Sequence, residues 1–95
     1  MTESLTVYRR DHCGYCRHLE HVLKSAGVAY ERRDIWADPD AAAFVRSVNN
    51  GSETVPTVVF GNGDVRTNPK PKELLRELGI EPPSWRDRFS RHGEH

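Results

Sequence analysis

Two cysteines stand two residues apart in Cys13-Gly14-Tyr15-Cys16. A crosslink over so short a loop constrains the unfolded chain very little. The pair therefore suits reversible redox chemistry or metal binding better than a structural role. Cys13 falls where a helix is expected to begin. Free backbone N–H groups and the positive end of the helix dipole stabilise a thiolate there. Thiolate is the form that attacks disulfides. Arg10 and His12 add positive potential beside it. Cys16, one helical turn on and more deeply buried, can then attack a mixed disulfide formed on Cys13.

Metal binding is the competing chemistry. A closed zinc site takes four ligands, and a catalytic one takes three plus water. There is no second cysteine pair. His12, His18 and His21 lie nearby, and His92 and His95 close the chain. His18 and His21 share a helix surface with Glu20 and Lys24, which reads as a solvated face. The terminal pair has no rigid frame. Redox chemistry is favoured, with a metal module left as the alternative.

The elements that position these residues follow from periodicity. Thr6-Val7-Tyr8 reads as a strand leading into the polar loop Arg9-Arg10-Asp11-His12. Leu19, Val22, Leu23 and Ala26 repeat at helical spacing, and Gly27 supplies a C-terminal stop. Val28-Ala29-Tyr30 opens a second strand that runs towards Asp34-Ile35. Asp38-Pro39 gives an N-cap acid and a proline at the first helical position. Ala41, Phe44, Val45 and Val48 continue that helix to Asn49-Asn50-Gly51. Thr57-Val58-Val59-Phe60 and Val65-Arg66-Thr67 form a hairpin about Gly61-Asn62-Gly63-Asp64. Asn68-Pro69 is expected to cap a third helix with Leu74, Leu75 and Leu78 on one face. The order is β-α-β-α-β-β-α. It predicts an α/β protein with a four-stranded mixed sheet, the order of a thioredoxin-like fold.

The chain has 95 residues, enough for one domain. Residues 1–79 hold the periodic pattern and 80–95 form an extension. In the extension, Pro82-Pro83 breaks the chain and Ser84-Trp85-Arg86-Asp87 resembles a capping box. Trp85 and Phe89 suit packing on the core, with a face towards a partner as the alternative. Basic and acidic side chains balance at 14 each, without long blocks. That gives no case for a nucleic-acid or membrane partner. No apolar run approaches the roughly 20 residues of a membrane span, and the first residues lack the features of a signal peptide. A cytoplasmic protein is expected. The sequon Asn50-Gly51-Ser52 then has no meaning.

Three features together resemble the glutaredoxin family: Cys13-Gly14-Tyr15-Cys16 after the first strand, Thr54-Val55-Pro56-Thr57-Val58 before the third, and the overall length. The stretch from Ala41 to Gly51, that Val-Pro segment, and then Thr67-Asn68-Pro69 look more closely like the actinobacterial mycoredoxins. The resemblance spans roughly residues 5 to 79. It implies a monomeric thiol–disulfide oxidoreductase without a tightly bound cofactor. Its partners would be protein mixed disulfides and a low-molecular-weight thiol, mycothiol or glutathione. It implies Cys13 as nucleophile and Cys16 as resolving thiol. It implies a cis Val55-Pro56 bond facing the cysteines, with the backbone of Val55 offered to the bound thiol. Arg10, Tyr15, Thr67 and Asn68 would complete the thiol-binding set.

Gly14 departs from the usual Cys-Pro-Tyr-Cys, and in some glutaredoxins such a change accompanies iron–sulfur binding. The Gly-Gly and Ser/Cys-Asp segment that holds glutathione is absent, and Thr67-Asn68-Pro69 stands near its place. This favours mycothiol. A dithiol redoxin reduced by a thioredoxin-type reductase, including a ribonucleotide-reductase donor, stays open beside it.

Overall fold

In β1, Leu5–Arg9, side chains alternate between two faces with period two. Leu5, Val7 and Arg9 are buried on one face, while Thr6 and Tyr8 are half-buried on the other. Residues 4–80 are described by the computed structural model. The expectations for Pro82-Pro83, the Ser84–Asp87 turn, Trp85, Phe89, His92 and His95 lie outside the described residues.

Around β1 the chain folds as expected: α1 Gly14–Ser25, β2 Glu31–Asp34, α2 Pro39–Val48, β3 Thr57–Phe60, β4 Val65–Thr67 and α3 Pro71–Glu77. The sheet order is β2-β1-β3-β4. β1 pairs parallel to β2, with Arg9 opposite Asp34, and antiparallel to β3, with Tyr8 opposite Thr57. β3 and β4 form the hairpin, with Thr57 opposite Thr67. These registers put the ends of β1, β2 and β4 and the start of β3 at one end of the sheet.

Two apolar layers sandwich the sheet. Leu5, Val7, Val58 and Phe60 pack with Leu19 and Leu23 of α1 and Leu74 and Leu75 of α3. Full burial of each such side chain is worth about 1.5–3 kcal/mol. On the opposite face Ile35, Ala41, Ala42 and Val45 pack with Tyr8, Phe44 and Val55. Tyr8 and Phe44 stack at 4.9 Å between centroids. Both edge strands are blunted: β2 reads Glu-Arg-Arg-Asp and β4 has three residues.

Two expectations are corrected. β2 begins at Glu31 rather than Val28. Val28 instead closes α1, its N–H donating to Leu23 O at 2.9 Å while Gly27 N–H donates to Lys24 O at 3.1 Å. That is a Schellman ending with Gly27 at φ 76°, and the apolar Val28 packs back on the core. Asn68 does not cap α3. The N-cap is Lys70, without a side-chain cap, and Asn68 sits at φ 48° while its N–H donates to Pro56 O at 2.7 Å. The proline that opens α3 is Pro71, two residues further on.

Candidate active site

Cys13 is the N-cap of α1, in extended conformation, and its sulfur accepts the backbone N–H of Cys16 at 3.1 Å. A donor aimed at the sulfur and the positive end of a 12-residue helix both stabilise negative charge on Sγ. Cys13 and Cys16 are joined as a disulfide with Cα atoms 5.3 Å apart. Cys16 is fully buried, whereas Cys13 keeps a little exposed surface. This is the inequality expected of an attacking and a resolving sulfur.

The shared end of the sheet gathers the remaining candidates. The Val55–Pro56 bond is cis. β3 begins only at Thr57, and among the described residues neither the N–H nor the C=O of Val55 is hydrogen-bonded. Behind it, the Thr57 hydroxyl donates to Thr54 O at 2.7 Å. Asn49 then links α2 to both strands of the hairpin: its amide donates to Thr57 Oγ1 at 3.3 Å, and its oxygen accepts Thr67 Oγ1 at 2.7 Å. The Thr67 hydroxyl is thus engaged within the protein, and Asn68 is tied to Pro56 through its backbone.

Tyr15 is 73% exposed on the first turn of α1. Arg10 lies in the loop before Cys13. Its Nη1 donates to Asp11 O at 3.3 Å, and its guanidinium carbon sits 5.4 Å from the centroid of Trp36. His12, at φ 61°, places its ring 6.4 Å from the same indole.

A charged cluster behind the site overturns the reading of Glu20 as solvated. Cys16, Leu19, Glu20 and Leu23 share the buried face of α1. Glu20 Oε2 accepts Arg9 Nε at 3.0 Å, and Oε1 accepts Tyr30 Oη at 2.9 Å and pairs with Arg32 Nε at 2.6 Å. Arg9 also reaches Asp11 at 3.2 Å and Asp34 at 3.3 Å. Burial opposes the Arg9 charge, but the bonds to Glu20 and Asp11 and the charges of Glu20 and Asp34 outweigh it and raise its pKa. Burial first, and the bond to Glu20 second, push the Tyr30 phenol up to about 12. The cluster joins β1, β2 and the helix that carries both cysteines. Among the described residues no three His, Cys, Asp or Glu side chains gather as metal ligands.

Sequence reasoning missed Trp36, Asn49 and the Arg9–Glu20 pair. Trp36 follows the end of a strand that lies parallel to its neighbour, and ligands meet α/β sheets at such ends. The acid at position 20, spaced four residues from Cys16 with Arg9 closing the strand before it, was the readable mark of the buried pair.

Comparison with known proteins agrees with this geometry. A family model described as glutaredoxin matches residues 5–65. A Mycobacterium tuberculosis protein named as a glutaredoxin is 44% identical over 78 residues, covering 82% of this chain and 93% of that protein. Mycoredoxin 1 of Corynebacterium glutamicum is 37% identical over 75 residues, covering 79% and 92%. Among solved structures, a mutant of a thioredoxin-like protein superposes with a TM-score of 0.72 at 31% identity, covering 81% of this chain and 96% of that one. An Escherichia coli NrdH-redoxin does so at 0.66 and 23% identity, covering 77% and 92%, and shares the fold. The fold is thioredoxin-like, the Cys13–Cys16 pair supplies the redox chemistry, and the chain belongs to the glutaredoxin family as a glutaredoxin-like thiol–disulfide oxidoreductase.

Proposed function

We propose that this oxidoreductase reduces mixed disulfides between proteins and mycothiol, with Cys13 as nucleophile. The observation that carries the reading is the sulfur of Cys13 at the head of α1, accepting the Cys16 N–H. Similarity to Mycoredoxin 1 supports mycothiol as the thiol, as does the Thr67-Asn68-Pro69 segment. Cys13 thiolate attacks the mycothiol sulfur of the mixed disulfide. The S–S bond breaks, the protein leaves as thiolate, and Cys13 holds mycothiol in a new disulfide. A second mycothiol thiolate then attacks that mycothiol sulfur, releasing mycothiol disulfide and the Cys13 thiolate. Alternatively Cys16 attacks Cys13, expelling mycothiol and forming the Cys13–Cys16 disulfide, which two further thiols reduce.

Arg10, Tyr15, Val55, Pro56, Thr67 and Asn68 form the thiol-binding surface in this proposal. The unpaired N–H and C=O of Val55 receive the peptide-like part of the thiol as a strand would. The protein acts as a monomer in the cytoplasm, with mycothiol as cosubstrate rather than a resident cofactor. No helix among the described residues is long and apolar enough to cross a membrane.

The test is turnover of one protein–mycothiol mixed disulfide with mycothiol, glutathione or a thioredoxin-reductase system. Mycothiol is expected to support the fastest turnover. Cys13→Ser is expected to abolish it and Cys16→Ser to keep part of it. Equal loss in both variants, with reduction by the reductase, replaces this route with a dithiol one. The pairing of Cys13 with Cys16, which a dithiol route requires at every turnover, is the observation behind that second reading.

A further inference from the structure

The thiol exchange above makes no use of Trp36. Trp36 is 59% exposed, yet the turn that carries it is tied down by hydrogen bonds. Trp36 N–H donates to Asp34 Oδ1 at 2.8 Å. Ala37 and Asp38 N–H donate to Asp34 O at 3.1 and 3.0 Å. Asp34 Oδ2 is itself fixed by Arg9 at 3.3 Å. Ile35 beside it is buried, with its N–H on Arg9 O at 2.9 Å. The ring is therefore a largely exposed apolar surface on a well-bonded turn.

Its neighbours locate it. The Arg10 guanidinium lies over it and the His12 ring tilts against it. His12 immediately precedes Cys13. A rigid indole offers large contact area at low conformational cost, and its flat face suits the C–H face of a pyranose or cyclitol ring. Arg10 spends one N–H on Asp11 O and keeps donors for hydroxyls around such a ring.

We infer that Trp36 is a specificity-determining residue whose indole stacks on the sugar portion of the cosubstrate, so that the site selects glycosylated thiols over peptide thiols. The inference rests on the mycothiol reading above and assigns the discrimination to one side chain. A peptide thiol such as glutathione has no ring to offer that face. N-acetylcysteine carries the reactive end of mycothiol without its sugars.

The experiment compares full-length wild type, Trp36→Ala and Trp36→Phe in steady-state turnover with mycothiol, glutathione and N-acetylcysteine. Trp36→Ala is expected to raise KM for mycothiol about five-fold, the scale of a stacking contact. Its kcat and its KM for N-acetylcysteine should stay at wild-type values, and Trp36→Phe should recover most of the loss. A similar KM rise for all three thiols overturns the inference, because it signals a structural role. An unchanged KM for mycothiol in Trp36→Ala, in an enzyme that prefers mycothiol, also overturns it. So does a defect that follows the protein half of the mixed disulfide, which would give the ring to protein substrates. A wild type that shows no preference for mycothiol removes the cosubstrate reading itself, and the assignment of Trp36 with it.

Discussion

At the scale of single residues, Glu20 shows what the sequence conceals. Helical spacing placed it beside His18 and Lys24, and an acid there reads as solvated. Its carboxylate is instead consumed by Arg9, Arg32 and Tyr30. No periodicity reports a partner that arrives from other strands. Cys13 lay at the other extreme: its place between a strand and a helix sufficed to expect it at the head of α1, where it stands. Removing one member of a buried pair leaves the other charge uncompensated. Glu20→Ala is expected to destabilise the fold by about 3 kcal/mol in urea unfolding. Tyr30 supplies a pH test. Its folded pKa lies above its unfolded one, so the fold favours the neutral phenol. That contribution is complete below about pH 10 and is lost as pH rises through about 12. A stability series in alkaline buffer should show this fall in the wild type. Tyr30→Phe should lack the Tyr30 component of it, after an initial loss of about 1–2 kcal/mol at neutral pH.

At the scale of elements, the helix ends sort the readings. Gly27 was a legible stop, since only glycine adopts its positive φ without strain, and Gly79 follows α3 with the same φ. Asp38-Pro39 was legible as a start, and Asp38 Oδ1 accepts the Asp40 N–H at 3.0 Å. Asn68 was misread because Asn-Pro carries the same composition as a cap. The backbone bond to Pro56 took Asn68 instead, and the helix waited for the next proline. Asn50 ends α2 at φ 55°, while Gly51 N–H closes the turn on Arg46 O at 2.8 Å. A β-branched residue is strained there. Asn50→Val is expected to cost about 1–2 kcal/mol, whereas Asn50→Gly should leave the thermal midpoint nearly unchanged.

At the scale of the whole molecule, the element order was readable because alternating strands and helices leave few ways to bury their faces. The unequal layers were not readable. One layer carries leucines from two helices, and the other leans on alanines of α2.

The blunted edges described for the sheet have a consequence for how the protein meets others. Open strand edges invite uncontrolled pairing between chains. Here one rim is a run of charge and the other is only three residues long. In the function proposed above, the unpaired backbone of Val55, at the end of the sheet that carries Cys13, is the place where the thiol joins by strand-like contact. On that proposal, an enzyme that must let go of each partner after a single exchange confines stickiness to the spot where reaction ends the encounter.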